Sequence, residues 1–142
     1  MRILLAEDDR MLNRALCYQL ENLDFQVDSC LDGEDALFYG EQNIYDVILL
    51  DLGGQMEGIF ELLQRCERIY MPVAADRIAR AKLSQYEKLL QMMEQQEILE
   101  KTKKLQVPQT ELDPNGPDMI QQLVWGETGT FVRRLLWEEE NE

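Results

Sequence analysis

The chain has 142 residues and a formal charge of −14, because 28 Asp and Glu outweigh 14 Lys and Arg. This length suits one domain, or one domain with an appendage, and 45% hydrophobic and 30% charged residues are typical of a folded soluble protein. The acidic charge argues against direct nucleic-acid binding, which depends on clustered Lys and Arg. We also expect no membrane association, since no apolar run approaches the about 20 residues of a membrane span.

The residue types restrict the possible metal chemistry and the location of the protein. There is no His, and the three Cys residues are widely spaced with no Cys-x-x-Cys pair. Any bound metal would therefore be a hard cation held by oxygen atoms, such as Mg²⁺. Free thiols and an amino terminus unlike a signal peptide predict a cytoplasmic protein.

The first third of the chain alternates strand and helix patterns. Continuous apolar runs predict buried strands at 3–6 and 45–52, and a period-two alternation predicts a half-buried strand at 25–30. Apolar residues spaced by three and four predict a helix at 11–23, and a shorter helix is expected at 34–42. The order β-α-β-α-β with short connections predicts an α/β fold with a parallel sheet.

The second half of the chain lacks the regular alternation of strand and helix patterns. A helix is predicted at 59–69, followed by a turn into a short strand at 70–75. From 76 to about 105 no Pro or Gly occurs and strong helix formers dominate, which predicts one helix of about thirty residues. After a loop rich in Pro, two short helices and an acidic end are expected, so this half should be atypical and mainly helical.

The long helix also predicts self-association. Leu83, Tyr86, Leu90 and Met93 step by three, four and three, like the apolar seam of a coiled coil. A helix of this length exceeds what a small sheet can cover, so we expect a homodimer. The predicted organisation is a receiver-like α/β part at 1–75, a long helix and possible dimerisation segment at 76–106, and a loop with short helices and an acidic end at 107–142.

Acidic residues follow two of the predicted strands. Glu7, Asp8 and Asp9 come directly after the first strand, and Asp51 ends the third. If these strands are neighbours, the acids meet at the carboxyl edge of the sheet, where ligands of parallel sheets bind. Carboxylates this close repel one another, so a cation between them is favourable, and Mg²⁺ prefers oxygen ligands. A metal-neutralised aspartate is a competent nucleophile toward a phosphoryl group.

Acids after strands also cap helices and solvate loops, and each of these residues taken alone is more simply explained in that way. Capping and solvation explain less well why acids follow both of these strands at once. Asp51 follows four consecutive apolar residues, where a carboxylate is unfavourable unless it lies at the open end of the strand.

These motifs resemble the receiver domain of two-component response regulators. The resemblance covers about residues 1–63 and rests on the motif Glu7-Asp8-Asp9, the segment 32–37 (DGEDAL) and the segment 45–52 (YDVILLDL). It implies a flavodoxin-like parallel sheet. It also implies that Asp51 accepts a phosphoryl group from a sensor histidine kinase, with Mg²⁺ held by Asp8, Asp51 and the backbone carbonyl of Gly53, and with Glu7 as the second member of the acid pair.

The chain departs from the receiver pattern after Asp51. The hydrophobic pair and Pro expected there are replaced by a Gly-Gly-Gln sequence. The hydroxyl residue that should end the fourth strand is replaced by Ala74 and Ala75, and Lys104 is a poor substitute for the usual Lys-Pro pair. The segment 76–83 resembles the last helix of a receiver, as though the fourth helix and fifth strand had been dropped.

Three interpretations follow. The first is an atypical, stand-alone receiver that is phosphorylated on Asp51. The second is a degenerate receiver that acts as a non-phosphorylated protein–protein interaction or dimerisation module. The third is a recombined or engineered chain in which a receiver half is joined to unrelated sequence. An enzyme with turnover is not expected, because nothing beyond the acid cluster suggests one.

Overall fold

The computed structural model describes residues 1–55 and 57–140. The chain divides into two compact units, Met1–Ile69 and Tyr70–Glu142. The elements of the first unit are β1 (Arg2–Glu7), α1 (Arg10–Glu21), β2 (Gln26–Cys30), α2 (Gly33–Gly40), β3 (Val47–Asp51) and α3 (Ile59–Arg65).

The first unit is built on a three-stranded parallel sheet with the order β2-β1-β3. Because β1 is the central strand, it is covered on both faces, and its residues from Ile3 to Glu7 are all buried. This explains the continuous apolar run in the sequence. The predicted β-α-β-α-β order and the parallel pairing are confirmed, which fits the start of a flavodoxin-like sheet.

The strand β3 differs from its prediction as a fully buried strand. Ile48 and Leu50 are half-buried, but Val47 and Leu49 keep 37% and 40% of their surface exposed. Among the described residues β3 pairs only with β1, so it forms an edge of this sheet. One face of β3 therefore packs on the core and the other faces solvent.

The core of the first unit lies on the side of the sheet that carries α2 and α3. It is a cluster of small and aliphatic side chains from both layers: Leu4, Ala6, Cys30, Ala36, Leu52, Ile59 and Leu62. The two helices approach closely at Gly40, where an added Cβ would lie 2.4 Å from Cδ1 of Leu62. A larger residue at position 40 would therefore force the buried side chain of Leu62, or the helices themselves, to shift.

The helix α1 is confirmed but ends at Glu21, two residues before the predicted end, and it buries a polar residue. Asn13 is buried and Leu16 and Leu20 are half-buried, whereas Met11 and Leu23 are 84% and 66% exposed. Leu23 lies beyond the end of α1, and Met11 lies on its exposed side, whereas the polar Asn13 is buried.

The second unit contains β4 (Ile69–Val73, which starts at the boundary), α4 (Arg77–Met92), α5 (Gln96–Lys101), β5 (Thr102–Gln106), α6 (Met119–Trp125) and α7 (Glu127–Glu140). The strands β4 and β5 are neighbours in a two-stranded sheet. Because this part of the chain combines strands with helices, its predicted mainly helical character is not confirmed. The division at 75 and 106 stays a prediction.

The predicted helix of about thirty residues does not form. The helix α4 ends at Met92, Glu94 adopts a left-handed backbone with φ of 57°, and residues 102–106 form the strand β5. The absence of Pro and Gly suggested continuity, but the turn at 93–95 and the pairing of β5 with β4 override helix propensity. The suggestion that the second half lacks the fourth helix and fifth strand of a receiver stays a prediction.

The four residues of the predicted coiled-coil seam differ in burial. Leu90 is completely buried, and Leu83 and Tyr86 line a cavity together with Met71 and Leu99. Met93, the fourth residue of the predicted seam, is 45% exposed. Leu83, Tyr86 and Leu90 therefore contribute to packing within the second unit, and the homodimer stays a prediction.

Candidate functional site

The carboxyl edge of the first sheet brings the predicted acids together. In the parallel register of β1 and β3, Glu7 is the direct partner of Asp51. Asp8 follows Glu7 immediately at the end of β1. The expectation that both acid groups meet at one edge of the sheet is therefore confirmed, and it follows from the adjacency of the two strands.

Glu7 is held in place by burial and by a backbone contact. Only 4% of its surface is exposed, and its Oε1 accepts a hydrogen bond from the backbone N–H of Asp9 at 2.9 Å. A buried carboxylate needs such a partner, because an unpaired charge in the interior is strongly unfavourable. Glu7 therefore shapes the turn that carries Asp8 and Asp9.

Asp9 has a structural role. It is the N-cap of α1, and its Oδ1 accepts hydrogen bonds from the backbone N–H groups of Met11 and Leu12, both at 2.9 Å. This contact satisfies donors that the first helical turn leaves unpaired. Aspartates cap other helices in the same way, namely Asp32 on α2, Asp76 on α4 and Asp118 on α6.

Asp8 and Asp51 are the accessible acids of this edge. Both are exposed, and so is Gly53 in the loop after β3. Gly53 has a left-handed backbone with φ of 56°, and a Cβ placed on it would lie 3.8 Å from Oδ2 of Asp8. The side chain of Asp8 therefore extends from the end of β1 toward the loop that follows Asp51.

The donor set at this edge suits a hard cation. The predicted donors are the carboxylates of Asp8 and Asp51 and the backbone oxygen of Gly53, with Glu7 as the second member of the acid pair, and Mg²⁺ takes one or two carboxylates together with water and phosphate oxygens. In the described part of the chain, no group of three or more His, Cys, Asp and Glu side chains is placed so that it could hold a metal ion by itself. The Mg²⁺ ligands stay a prediction.

Asn13 is a residue of this edge that the sequence did not reveal. Its Nδ2 donates hydrogen bonds to the backbone oxygens of Glu7 at 3.2 Å and of Cys30 at 3.0 Å. It thereby connects α1 to the carboxyl ends of β1 and β2. The available signal was a polar residue one turn before Leu16 and Cys17 on the half-buried face of α1.

The amino end of the same sheet carries a separate polar network. Asp28 Oδ2 accepts hydrogen bonds from Nε and Nη2 of Arg2 and from the hydroxyl of Tyr45, at 2.8 to 3.0 Å. The hydrogen bond from Arg2 lowers the pKa of Asp28, and burial together with the bond to Asp28 raises the pKa of Tyr45 to about 12. This network fixes the strand starts and is remote from the acidic edge.

The three cysteines are free thiols. Burial raises the pKa of the Cys30 thiol to about 11, so it is protonated and unreactive near neutral pH. Within the described chain no helix combines the length and the apolar character needed to cross a membrane.

Two segments of the second unit bear on the hydroxyl and the lysine that the receiver resemblance implies. The strand β4 is followed by Ala74 and Ala75, so no hydroxyl is present there. The strand β5 does contain Lys104, and its ammonium group forms an ion pair with Glu87 of α4.

Comparison with known proteins supports a receiver interpretation of part of this chain. The chain is 34% identical over 65 residues to the transcriptional regulatory protein PhoP of Escherichia coli (strain K12), and equally to the virulence transcriptional regulatory protein PhoP of Salmonella typhimurium. The match covers 46% of this chain and 29% of each relative, so the chain matches less than a third of their length. No family model matches the chain. The similarity supports a response-regulator receiver region.

Proposed function

We propose that this chain contains an atypical receiver of a two-component system that accepts a phosphoryl group on Asp51. The observation that carries the proposal is the register of β1 and β3, which pairs Glu7 with Asp51 and places Asp8 at the same edge. The similarity to PhoP proteins provides independent support. A sensor histidine kinase as donor and a cytoplasmic location belong to this proposal.

In the proposed reaction, a carboxylate oxygen of Asp51 attacks the phosphorus atom of the donor. The bond from phosphorus to the leaving group breaks as the new oxygen–phosphorus bond forms, which leaves an acyl phosphate on Asp51. Because Asp51 is exposed at the end of an edge strand, a donor from a partner protein can reach it. The same exposure allows water to hydrolyse the product.

Asp8, Asp51 and the carbonyl of Gly53 are the groups that we expect to hold Mg²⁺, with Glu7 completing the acid pair. When bound, the cation would offset the carboxylate charge and orient the phosphoryl oxygens. The protein contributes the positions of these oxygens. Glu7 is fixed by the N–H of Asp9, and Asn13 anchors the backbone of β1 at Glu7.

We expect phosphorylation to change the conformation little. Switching needs groups that contact the phosphoryl oxygens in one state and not in the other. The two alanines after β4 offer no hydroxyl, and Lys104 is already paired with Glu87. The output would then be a partner that reads the modified surface of the first unit directly.

The alternative is a degenerate receiver that serves as a non-phosphorylated interaction module. The exposed apolar side chains of Val47 and Leu49 on β3 favour it, because an apolar face on an edge strand is a site for association. A recombined chain would show the same features.

The test is intact mass spectrometry after incubation with acetyl phosphate and Mg²⁺. We expect wild type to gain the mass of one phosphoryl group, and Asp51→Asn to gain none. Asp24→Asn is the matched control, because Asp24 is an exposed aspartate with a φ of 63° that Asn tolerates. Failure of wild type to be modified, or equal modification of Asp51→Asn, would favour the interaction module.

A further inference from the structure

An acidic groove lies between α2 and the start of α3, on the first unit. On α2 and its C-cap, residues 34, 37, 38 and 41 form one stripe, because they are spaced as i, i+3, i+4 and i+7. The opposite wall is the loop and first turn around Glu57, Gly58 and Glu61. We call this surface the acidic groove; it is lined by Glu34, Leu37, Phe38, Glu41, Glu57, Gly58 and Glu61.

The acidic groove is fixed by the backbone rather than by mobile side chains. An added Cβ on Gly33 would lie 2.0 Å from the backbone oxygen of Glu57, and one on Gly58 would lie 2.5 Å from the backbone oxygen of Gly33. Gly58 also needs its left-handed φ of 75°. The two walls therefore meet through bare backbone, and the groove exists before anything binds.

The groove combines an apolar floor with an acidic rim. Phe38 is 64% exposed, which is unfavourable for an aromatic ring unless a partner covers it. Glu41 forms an ion pair with Arg65 at 3.2 Å. Among the described residues, the carboxylates of Glu34, Glu57 and Glu61 have no ion pair, so the rim is negative and fits a cationic apolar ligand.

The same chain presents a surface with the opposite charge. On α4, Ile78, Leu89 and Met92 expose 70%, 38% and 82% of their surface. They lie on the side of the helix away from the buried Leu90, because their positions on a 3.6-residue helix differ from that of Leu90 by roughly 100° to 160°. We call this surface the basic face of α4, since Arg77, Lys82 and Lys88 flank the three apolar residues and are exposed.

The basic face is unusual in this protein. The chain as a whole carries −14, which opposes association between copies. Residues 76–104 carry seven Lys and Arg against five Asp and Glu, a net charge of 7 − 5 = +2. Within the described chain, Arg77, Lys82 and Lys88 have no ion pair, so they are available to carboxylates of a partner.

We propose that the acidic groove of one copy receives the basic face of α4 from a second copy of this chain. In this contact Phe38 packs on the exposed apolar residues of α4, and the Glu residues of the rim pair with Arg77, Lys82 and Lys88. The contact is heterologous, since two different surfaces meet. It uses the face of α4 opposite to the predicted seam and does not depend on phosphorylation of Asp51.

The test measures the mass of the protein in solution by sedimentation equilibrium at tens of micromolar. Wild type should exceed the monomer mass of 16.7 kDa. Phe38→Glu and Met92→Glu should each weaken association by about tenfold or more, because each buries a charge at the centre of the contact. Both residues are largely exposed, and circular dichroism should show that both variants remain folded.

Matched controls exist elsewhere in the first unit. Tyr18 on α1 is 64% exposed, like Phe38, and Met11 on α1 is 84% exposed, close to the 82% of Met92. Tyr18→Glu and Met11→Glu should associate as wild type does. If these controls weaken association as much as the two test variants, the contact lies elsewhere and the proposal is wrong.

Mixing the two test variants distinguishes this contact from a symmetric one. Phe38→Glu retains the basic face, and Met92→Glu retains the acidic groove, so an equimolar mixture should associate more strongly than either variant alone. Charge exchange gives a second check: Glu57→Lys with Glu61→Lys should lose association, and adding Lys82→Glu with Lys88→Glu should restore it. A monomeric wild type, or a mixture no stronger than its components, would overturn the proposal.

Discussion

The two units of this chain reach the folded state with different amounts of buried apolar surface. In the first unit, a central strand is buried on both faces, and the core extends from β1 to α3. In the second unit, the described side chains that are fully buried and apolar are Leu90 and Ile98. Regular alternation of strands and helices therefore produces a layered core in the first unit, whereas the two-stranded sheet of the second supports a much smaller one.

The two units also differ in the residues that end their strands. In the first unit, the strands β1 and β3 are parallel neighbours, and this alone places acids from both strands at one edge of the sheet. The strands β4 and β5 of the second unit end at Val73 and Gln106, neither of which is an acid. Lys104 of β5 forms an ion pair with Glu87. The convergence of acids therefore belongs to the sheet of the first unit and follows from its strand order.

Truncation of matched core leucines should give the largest effects. Leu4 and Leu90 are both completely buried, one in each unit. Leu4→Ala should lower the free energy of unfolding by about 2 to 5 kcal/mol, because it leaves a cavity under the central strand. Hydrogen exchange should then rise across β1, β2 and β3, whereas Leu90→Ala should raise it in α4 and α5. Identical exchange patterns for both variants would contradict a separate core in each unit.

Substitution of two glycines tests how closely α2 packs against the loop that precedes α3. Gly33→Ala should destabilise the protein by about 1 to 3 kcal/mol, because its Cβ would meet the backbone oxygen of Glu57 at 2.0 Å. Gly54 is the matched control, since a Cβ there meets nothing within 4 Å. Gly54→Ala should change stability by less than about 0.5 kcal/mol in urea unfolding. Equal effects would show that the approach of α2 to the loop is not tight.

Magnesium should stabilise the first unit through its acidic edge. A ligand at ten times its Kd raises the free energy of unfolding by about 1.4 kcal/mol. We therefore expect millimolar Mg²⁺ to raise the Tm of wild type and of Asp24→Asn but not of Asp51→Asn. Without Mg²⁺, Asp51→Asn should be slightly more stable than wild type, since it removes one charge from a repelling group. If Mg²⁺ raises the Tm of Asp51→Asn as much as that of wild type, this metal site is excluded.

The polar network at the amino end of the first sheet should give the smallest effect. The hydrogen bond from Arg2 lowers the pKa of Asp28 in the folded protein, so its contribution is present above the unfolded pKa of about 3.9 and is lost as the pH falls through the lower folded value. Both side chains are partly exposed, so solvent screens the pair. Asp28→Asn should be less stable than wild type near neutral pH, and the difference in Tm should shrink below about pH 4. A constant difference would contradict this assignment.

The sequence predicted the first unit well because its periodicity reflects its layers. The continuous apolar run of β1 follows from burial on both faces, and the turn at Asp32 follows from its cap on Asp35. The edge position of β3 could not be predicted, since a central and an edge strand both read as Val-Ile-Leu-Leu. Asn13 was missed because its role depends on two backbone oxygens from other strands.

The second unit was predicted less well for a related physical reason. Residues 102–106 (TKKLQ) form a strand through pairing with β4, although Lys, Leu and Gln are good helix formers. The turn after α4 contains the left-handed backbone of Glu94. Gly or Asn would have indicated this conformation in the sequence, but Glu does not. Tertiary contacts decided both features, and local sequence carried little information about them.

The most direct test of the account is amide chemical-shift mapping with beryllofluoride, which mimics a phosphoryl group on aspartate. With Mg²⁺ present, we expect shifts in wild type at residues 7–9 and 51–55, small changes across 72–106, and none in Asp51→Asn. This result would show an acceptor site on the first unit whose occupation does not change the conformation of the second unit. Equal shifts in Asp51→Asn, or no shifts at 7–9 and 51–55, would contradict the assignment of the acidic edge as a phosphoryl-acceptor site.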